Sequence, residues 1–443
     1  MLVTISWLIV IGLAIWKLPF FGKFGLQRKS ILTVYLLHVS AGVALSLIYT
    51  YFYPQRNLAD TYKYFDDSVH IYNILWESPV DFVRMITGYH CDTVQLKPVY
   101  DKMYNWYVLN NKYLYNDNRT MIRINALMMI FSGGYYYVHI FFFCMMSLIG
   151  KLFLFKAFQK LFQEKKNLLF IAIFLVPSVI FWSSGVLKEG FLFLVMGIFV
   201  WSFERWSDNL RSLKHAGLIL FTLFLLFFIK FYVAVALLPG LISILWIKRK
   251  NYEKPFMKTV VVHFCFVVAA VTFHIISPFH SFLNGLQWQK KSFYGLAETM
   301  NSGSVVHTME LDDNFSSFFA NVPEGLFNAF FRPFLWDSLS PVVLASALEN
   351  ILFITVFVLT ILWFRRPSPR DAAYVFFFLS FTLILYTLSG VVTPIIGTLV
   401  RYKMPAMAFL LKACFLLWDK GKHENTKIGK WINNLGNCNS MFT

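Results

Sequence analysis

Charged residues are scarce in this chain. Lys, Arg, Asp and Glu make up 14% of its 443 residues, against about 25% in ordinary soluble domains. Hydrophobic residues make up 58%, and 50 residues are phenylalanine. A soluble protein of this composition could not cover its surface with polar groups, so a soluble enzyme and a disordered chain are both excluded. The composition predicts an all-α, polytopic integral membrane protein.

Recognisable catalytic and metal-binding motifs are missing as well. The sequence has no CxxC, HExxH, Walker A or GxGxxG pattern, which removes support for metalloprotease, thiol-redox and nucleotide-hydrolysis functions. Among the five cysteines, only Cys91 falls in a segment assigned below to the outer face. No disulfide is therefore expected on that side.

Long apolar runs dominate what is present. A transmembrane helix needs about 20 mostly apolar residues, and about eleven segments meet that requirement. They lie near residues 2–19, 31–53, 124–150, 168–187, 190–203, 216–230, 232–247, 259–276, 341–363, 372–390 and 403–418. Polar breaks interrupt 168–203 and 216–247, so each of these is either a helical hairpin or a broken, re-entrant pair.

The net charge of +17 is distributed unevenly between alternate loops. If the N-terminus lies outside, the inner segments hold 25 of the 40 basic residues against seven acids, with Glu204 and Asp371 counted at the segment edges. The outer segments hold 15 of each sign, and the remaining acid, Glu349, lies within a span. Positive charge accumulates in cytoplasmic loops. The pattern therefore predicts an outer N-terminus and a cytoplasmic C-terminus, and it gives no reason to expect a nucleic-acid partner.

These spans divide the chain into six segments. The outer segments 54–123 and 277–340 stand out because they are much longer than connectors need to be. Segment 54–123 is predicted to carry surface helices over 69–86 and 98–115, lying parallel to the membrane. The full division is 1–53 (N-terminal helices), 54–123 (outer loop), 124–276 (transmembrane core), 277–340 (second outer loop), 341–418 (C-terminal helices) and 419–443 (a cytoplasmic tail expected to be disordered).

The first candidate site is acidic and follows the second span closely. Asp60, Asp66 and Asp67 lie within the sequence DTYKYFDD, among aromatic residues. A carboxylate held in a partly desolvated cavity has a raised pKa and can accept a proton from a hydroxyl nucleophile. The structural alternative is that Asp60 caps a surface helix and that the other two acids form its solvated face.

The second candidate is the adjacent pair Lys188 and Glu189, preceded by Pro177 and by Ser183-Ser184-Gly185. Ionisable residues among apolar ones at membrane depth are costly and usually functional, and an opened backbone would expose amides to an anion. Alternatively, the pair marks the turn between two helices and reaches the membrane interface.

Two arginines stand in apolar surroundings. Arg332 lies in FFRPFLWD, near Trp336, and Arg401 lies at the outer end of the last helix. Arginine suits bidentate phosphate contacts, although Arg332 could equally pair with an internal acid such as Asp337. Glu349 is expected to be paired within the helix bundle.

This layout resembles the GT-C superfamily of membrane glycosyltransferases, which use polyprenyl-phosphate-linked sugars. The resemblance rests on an acid early in a long outer loop, here Asp60 with Asp66 and Asp67, and on the Arg401-Tyr402 pair within LVRYKMP. The segment FWSSGVLKEG is also similar to segments of membrane proteins encoded in bacterial polysaccharide clusters. The resemblance implies residence in the bacterial cytoplasmic membrane.

The resemblance implies a chemistry and partners as well. A hydroxyl of a glycan or lipid acceptor attacks the anomeric carbon of a lipid-linked sugar donor, with Asp60 or Asp66 as base. Lys188, Arg332 or Arg401 stabilises the departing phosphate, while Tyr64, Tyr402 and Trp336 bind sugar or lipid. Glu189 belongs to the same substrate-binding group. No cofactor or metal ligand is assigned, and a requirement for a divalent metal stays open.

Two other functions remain open at this point. One is an O-antigen-type polysaccharide polymerase or ligase, which transfers whole oligosaccharides. The other is a transporter or flippase of a lipid-linked glycan, with Lys188, Glu189 and Lys230 along its pathway. Convergence of Asp60, Lys188, Arg332 and Arg401 in one outer cavity would favour transfer. Convergence of Lys188, Lys230 and Glu349 at mid-membrane would favour transport.

Overall fold

The structure is a computed structural model. It describes residues 2–52, 56, 59–107, 116–277, 282–299, 302–338, 340–419, 421, 422, 426 and 429. Most of the tail 419–443 therefore lies outside the described residues, as do 108–115 of the predicted helix 98–115. Among the described residues of that segment, Lys97–Tyr100 is helical, and turns and bends follow it to residue 107.

The described part of the chain is all-α, as the composition predicts. Within it no strand forms beyond two isolated bridges, Val305 with Ile395 and Phe364 with Trp418. The helices are α1 (Leu2–Lys17), α2 (Arg28–Phe52), α3 (Asp60–Glu77), α4 (Pro79–Thr87), α5 (Lys97–Tyr100), α6 (Asp117–Ser132), α7 (Tyr136–Phe158), α8 (Lys166–Phe174), α9 (Pro177–Trp182), α10 (Lys188–Asp208), α11 (Leu213–Arg249), α12 (Pro255–Ile276), α13 (Phe282–Thr299), α14 (Phe315–Phe331), α15 (Pro341–Leu362), α16 (Pro369–Val392) and α17 (Ile396–Leu416).

Six of the described helices are long and apolar enough to cross a membrane. They comprise Arg28–Tyr51, Tyr136–Phe158, Leu213–Arg249, Pro255–Ile276, Pro341–Leu362 and Pro369–Val392, and Leu2–Lys17 is a shorter apolar helix. On α12 large apolar side chains such as Phe264 and Ile275 are exposed, which is the surface that a lipid-facing helix presents. The chain is a helical membrane protein.

Several predicted helices are interrupted, each at an identifiable residue. The segment 124–150 does not form one helix, because Gly133 and Gly134 adopt positive φ angles of 61° and 81° and separate α6 from α7. Such left-handed glycines end helices. Segment 69–86 is likewise split, since Ser78 caps α4 and Pro79 occupies its first turn.

The two uncertain segments also contain breaks. Segment 168–187 forms α8 and α9, separated at Pro177, and residues 183–187 are not helical. In α11 the helical backbone is interrupted at Lys230, whose φ and ψ are −155° and 85°. Both breaks fall where polar residues or proline enter an apolar run.

The described residues form two compact units, and each is treated by itself. The first unit contains residues 2–157 and 180–230, and the second contains 158–179 and 231–429. Close helix packing in each depends on paired glycines. A Cβ atom built on Gly197 would lie 2.0 Å from the carbonyl oxygen of Gly150 in the first unit. One built on Gly390 would lie 1.9 Å from that of Gly325 in the second.

Candidate functional site

The predicted acid Asp60 opens α3. Ala59 is the N-cap and Asp60 is the first helical residue, where a carboxylate interacts favourably with the helix dipole. The capping alternative was thus wrong by one position. Asp60 forms an ion pair with Lys63 one turn later, and both side chains are mostly buried, with 25% and 18% exposed.

Lys188 and Tyr64 lie next to this ion pair. The ammonium of Lys63 is 5.1 Å from the centre of the Tyr64 ring, and that of Lys188 is 5.4 Å from it. Lys188 is the first residue of α10 and is buried, whereas the turn interpretation places it between two helices and at the membrane interface. Its Nζ lies 2.7 Å from Asp117 Oδ1 and donates to Asn118 Oδ1 at 3.0 Å.

Three predicted residues therefore converge within the first unit: Asp60, Tyr64 and Lys188. Together with Lys63, Asp117 and Asn118 they form what is here called the α3–α10 cluster. It holds two ammonium groups and two carboxylates around one aromatic ring. The sequence analysis did not identify Asp117, Asn118 or Lys63, although Asp117 and Asn118 start an amphipathic helix just before the predicted core.

The other two predicted acids are engaged by fixed donors. Asp66 accepts from Nε and Nη2 of Arg56 in a bidentate pair, with both distances 2.8 Å. Asp67 is 2% exposed and accepts from the backbone N–H groups of Tyr104 and Asn105 at 3.1 and 2.8 Å. Burial raises the pKa of the Asp67 carboxyl above its usual range, and the two backbone donors oppose that rise.

A cavity of about 180 Å³ lies beside Asp66 and Asp67. It is here called the α3 cavity. Its lining consists of Arg56, Lys63, Asp66, Asp67, Tyr104 and Asn105. Lys63 therefore belongs both to this cavity and to the α3–α10 cluster.

Glu189 does not join Lys188, its neighbour in sequence. Its side chain is fully buried and its Oε1 atom lies 2.7 Å from Lys230 Nζ. This pair places an acid from the start of α10 against the lysine at which α11 is interrupted. Two of the three residues named for the transport alternative, Glu189 and Lys230, are thus in contact, while Lys188 pairs with Asp117.

In the second unit, Arg332 pairs with an acid of its own loop. Its Nη1 donates to Asp337 Oδ1 at 2.8 Å, and the backbone N–H of Phe334 donates to Asp337 Oδ2 at 2.7 Å. This is the internal partner that the sequence suggests. Trp336 stacks on Phe334 with ring centres 4.9 Å apart and is 78% exposed.

Arg401 and Tyr402 lie in the first turns of α17 and are both partly buried. Tyr402 stacks on Tyr232 at 5.5 Å and meets the edge of Phe293. These two predicted residues belong to the second unit, so the prediction that Asp60 and Arg401 share one cavity stays a prediction.

Lys403 and Lys151 are among the buried lysines that the sequence analysis missed. Lys403, in the second unit, donates to the carbonyl oxygens of Ala329 and Arg332 at 2.7 and 2.8 Å and so anchors the end of α14. In the first unit Lys151 Nζ lies 2.6 Å from His38 Nε2 and donates to Ser183 Oγ at 2.9 Å. In the sequence, both count only as basic residues next to the ends of predicted spans.

Glu349 lies within the second unit. It accepts from the backbone N–H of Ser178 at 2.9 Å and from its hydroxyl, so it is partnered inside the helix bundle as expected. In the part of the chain that the structure describes, no group of three or more His, Cys, Asp and Glu side chains is arranged to hold a metal ion.

Comparisons with protein-family models, with curated proteins and with solved structures give no match to this chain.

Proposed function

We propose that the protein is a membrane glycosyltransferase that moves a sugar from a polyprenyl-phosphate donor to an acceptor, in the assembly of a cell-surface polysaccharide or glycoconjugate. The observation that carries this proposal is the α3–α10 cluster, in which Asp60, Lys63, Tyr64 and Lys188 meet. The cluster combines a carboxylate that can accept a proton with ammonium groups that can stabilise a phosphate.

The reaction follows from these groups. An acceptor hydroxyl oxygen forms a bond to the anomeric carbon while the bond from that carbon to the phosphate oxygen breaks, with inversion. The hydroxyl proton passes to Asp60, and the bonding electrons leave with polyprenyl phosphate. Lys188 stabilises the negative charge on the leaving group. Asp60 is the base of this proposal because it belongs to the same cluster as Lys188, whereas Asp66 pairs with Arg56 and Asp67 accepts from two backbone donors outside that cluster.

The proposal includes a topology and a location. The proposed topology has about eleven spans. Six are the long apolar helices, and the other five are α1, the α8–α9 segment, α10, the second arm of α11 and α17. The N-terminus would lie outside the bacterial cytoplasmic membrane, since 25 of the 40 basic residues then fall in inner segments. Segments 54–123 and 277–340 would be the two large outer loops, with helices parallel to the membrane.

The test reconstitutes the purified protein into liposomes that contain a lipid extract of the source cells as acceptor. A panel of radiolabelled polyprenyl-phosphate sugars is added, and free polyprenyl phosphate is measured. The Asp60→Asn variant should release the product at least about 100-fold more slowly, as expected for loss of a general base. Asp101→Asn, at an exposed acid of the same loop, is the matched control and should keep the wild-type rate. If the Asp60→Asn variant releases polyprenyl phosphate at the wild-type rate, Asp60 is not the base.

The same liposomes separate the alternatives. An O-antigen-type polymerase or ligase would consume a diphosphate-linked oligosaccharide and transfer it whole. A flippase would move a fluorescent lipid-linked glycan between leaflets without cleaving it. One observation favours this transport function as a second candidate: the buried Glu189–Lys230 pair lies at a helix interruption, the type of site at which transporters bind ions and substrates.

A further inference from the structure

The two faces of α14 are the reverse of those of an amphipathic helix in water. Its buried positions are small or polar: Asn321, Gly325, Asn328 and Ala329. Its exposed face carries Phe319, Phe327 and Phe331, each between 41% and 51% exposed. A helix on a soluble protein buries its apolar face, whereas helices in lipid pack through small and polar residues. The pattern of α14 is that of a helix with lipid on its exposed face.

The neighbouring helix α15 shows how far α14 reaches into the membrane. α15 has 22 residues and is apolar enough to span a membrane, and its length of about 33 Å matches the ~30 Å hydrocarbon core. The side chain of Asn350 donates to the carbonyl oxygen of Phe331, the last residue of α14, at 2.5 Å. Because Asn350 lies nine residues after Pro341, this contact is about 13 Å below the start of α15.

The helix α17 gives a similar depth. It runs in the same direction as α15, since the far ends of the two helices are joined by the bridge between Phe364 and Trp418. Lys403, which donates to the carbonyl oxygens of Ala329 and Arg332, lies seven residues after the start of α17. Seven residues correspond to about 10 Å. Two helices therefore place the C-terminal end of α14 at about 10–13 Å from the membrane boundary.

The point at which α14 crosses this boundary is marked by α16. This helix follows α15 through a short loop, returns to the side on which α15 starts, and ends at Val392. A Cβ atom on Gly390, two residues before that end, would lie 1.9 Å from the carbonyl oxygen of Gly325. From Gly325 to Phe331, α14 continues for six residues, or about 9 Å. The crossing point thus agrees with the depth of the helix end.

The chain reverses direction at this depth. The last carbonyl groups of a helix have no donors within it, and three carbonyl groups at the end of α14 accept from Lys403 and Asn350. Beyond the helix, Asp337 accepts from the guanidinium of Arg332 and from the backbone N–H of Phe334. Irregular backbone is tolerated at membrane depth only where protein groups satisfy it. The helices that set the depth also supply donors that the reversal requires.

We infer that α14 is a re-entrant helix, which enters the membrane near Gly325 and reaches about 10–13 Å into it, and that hydrocarbon chains of the lipid cover Phe327 and Phe331. Leu348 of α15 is exposed at a similar depth and faces the same solvent. In the proposed topology, α14 then dips from the loop 277–340 instead of lying parallel to the membrane. The transferase chemistry does not enter this inference, so either proposal can fail alone.

Spin labelling of the full-length protein in nanodiscs is the test. The five native cysteines are replaced by alanine, and single cysteines introduced by Phe327→Cys or Phe331→Cys carry a nitroxide. Power-saturation EPR compares collisions with O₂, which is concentrated in hydrocarbon, and with a neutral nickel chelate, which stays in water. At both positions collisions with O₂ should predominate, as they should for Leu348→Cys, the reference at similar depth on α15.

The matched control is Ser316→Cys, at an exposed position of the same helix. It lies fifteen residues before Phe331, about 22 Å along α14 and so outside the membrane. Its label should collide with the nickel chelate at least tenfold more often than a label at position 327 or 331. All labelled side chains are exposed, so the labels remove no buried packing, and thermal unfolding checks that each variant folds as its unlabelled parent does.

Two results would overturn the inference. Chelate collisions at positions 327 and 331 that equal those at position 316 would place this face of α14 in water. Low collision rates with both reagents would mean that protein, such as a second copy of the chain, covers the face instead of lipid.

Discussion

Glu189 and Lys230 form a buried ion pair with 2.7 Å between Oε1 and Nζ. The glutamate lies in the first turn of α10, and the lysine occupies the one non-helical position within α11. An interrupted backbone in an apolar environment is tolerated only where neighbouring groups satisfy it. The ion pair therefore links the break in one helix to the beginning of another.

Removal of one partner should destabilise the protein strongly. In Lys230→Met the Glu189 carboxylate stays buried without this ammonium, and breaking a buried pair typically costs about 3–5 kcal/mol. The double variant Glu189→Gln/Lys230→Met should recover much of that loss. Thermal unfolding in detergent measures both. Lys214→Met, at an exposed position of the same helix, is the control, and an equally stable Lys230→Met would show that the pair contributes little.

The crossing of α7 and α10 depends on glycine. Because a Cβ on Gly197 would lie 2.0 Å from the Gly150 carbonyl oxygen, Gly197→Ala forces the helices apart. Overpacking typically costs about 1–3 kcal/mol. Gly217→Ala is the matched control, because no atom lies within 4 Å of its added Cβ and alanine favours a helix by up to ~1 kcal/mol. Thermal unfolding should separate the two variants, with Gly197→Ala below the wild type and Gly217→Ala at or above it.

Asp67 should anchor the loop that follows α5. Its two oxygens accept the backbone N–H groups of Tyr104 and Asn105, and hydrogen bonds to a charged group contribute about 1.5–3 kcal/mol. In Asp67→Leu both amides should exchange with deuterium at least about tenfold faster, since 1.4 kcal/mol corresponds to one decade. Hydrogen-exchange mass spectrometry of this segment measures the change. Unaltered exchange in the variant would mean that other contacts hold the loop.

Some of this architecture could be predicted because it depends on composition and local pattern. The scarcity of charge predicts a helical membrane protein. The turn interpretation of Lys188 and Glu189 was wrong, because both are buried in the first turn of α10. Hydropathy could not locate the breaks within 124–150, since Gly133 and Gly134 barely lower the mean hydropathy of an apolar run. The break depends on backbone angles rather than on polarity.

The side-chain partners could be predicted only where they are close in sequence. Arg332 pairs with Asp337 five residues later, as the sequence suggests. Lys188 instead meets Asp117, and Glu189 meets Lys230. A lone sequence gives no signal for such long-range pairs, since adjacent residues at a helix start point in different directions and their partners depend on how the helices pack.

The burial of Lys165 predicts that the free energy of unfolding depends on pH. Its Nζ donates to the carbonyl oxygens of Phe415 and Trp418 at 2.9 and 2.5 Å, at the end of α17. Burial, and then the nearby Arg365, lower its pKa to about 8.

The unfolded chain keeps this proton up to the ordinary lysine pKa of about 10.4, whereas the folded protein releases it above about pH 8. Between these values the unfolded state binds more protons, so this group makes the free energy of unfolding rise with pH. Arginine does not titrate in this range, so the Lys165→Arg variant should lack this increase in the free energy of unfolding with pH. Thermal unfolding from about pH 7.5 to 10.5, a range that spans the two pKa values, measures the difference from the wild type. Lys160→Arg, at an exposed lysine of the same loop, is the matched control. A wild-type pH profile in Lys165→Arg would show that burial does not lower the pKa of Lys165.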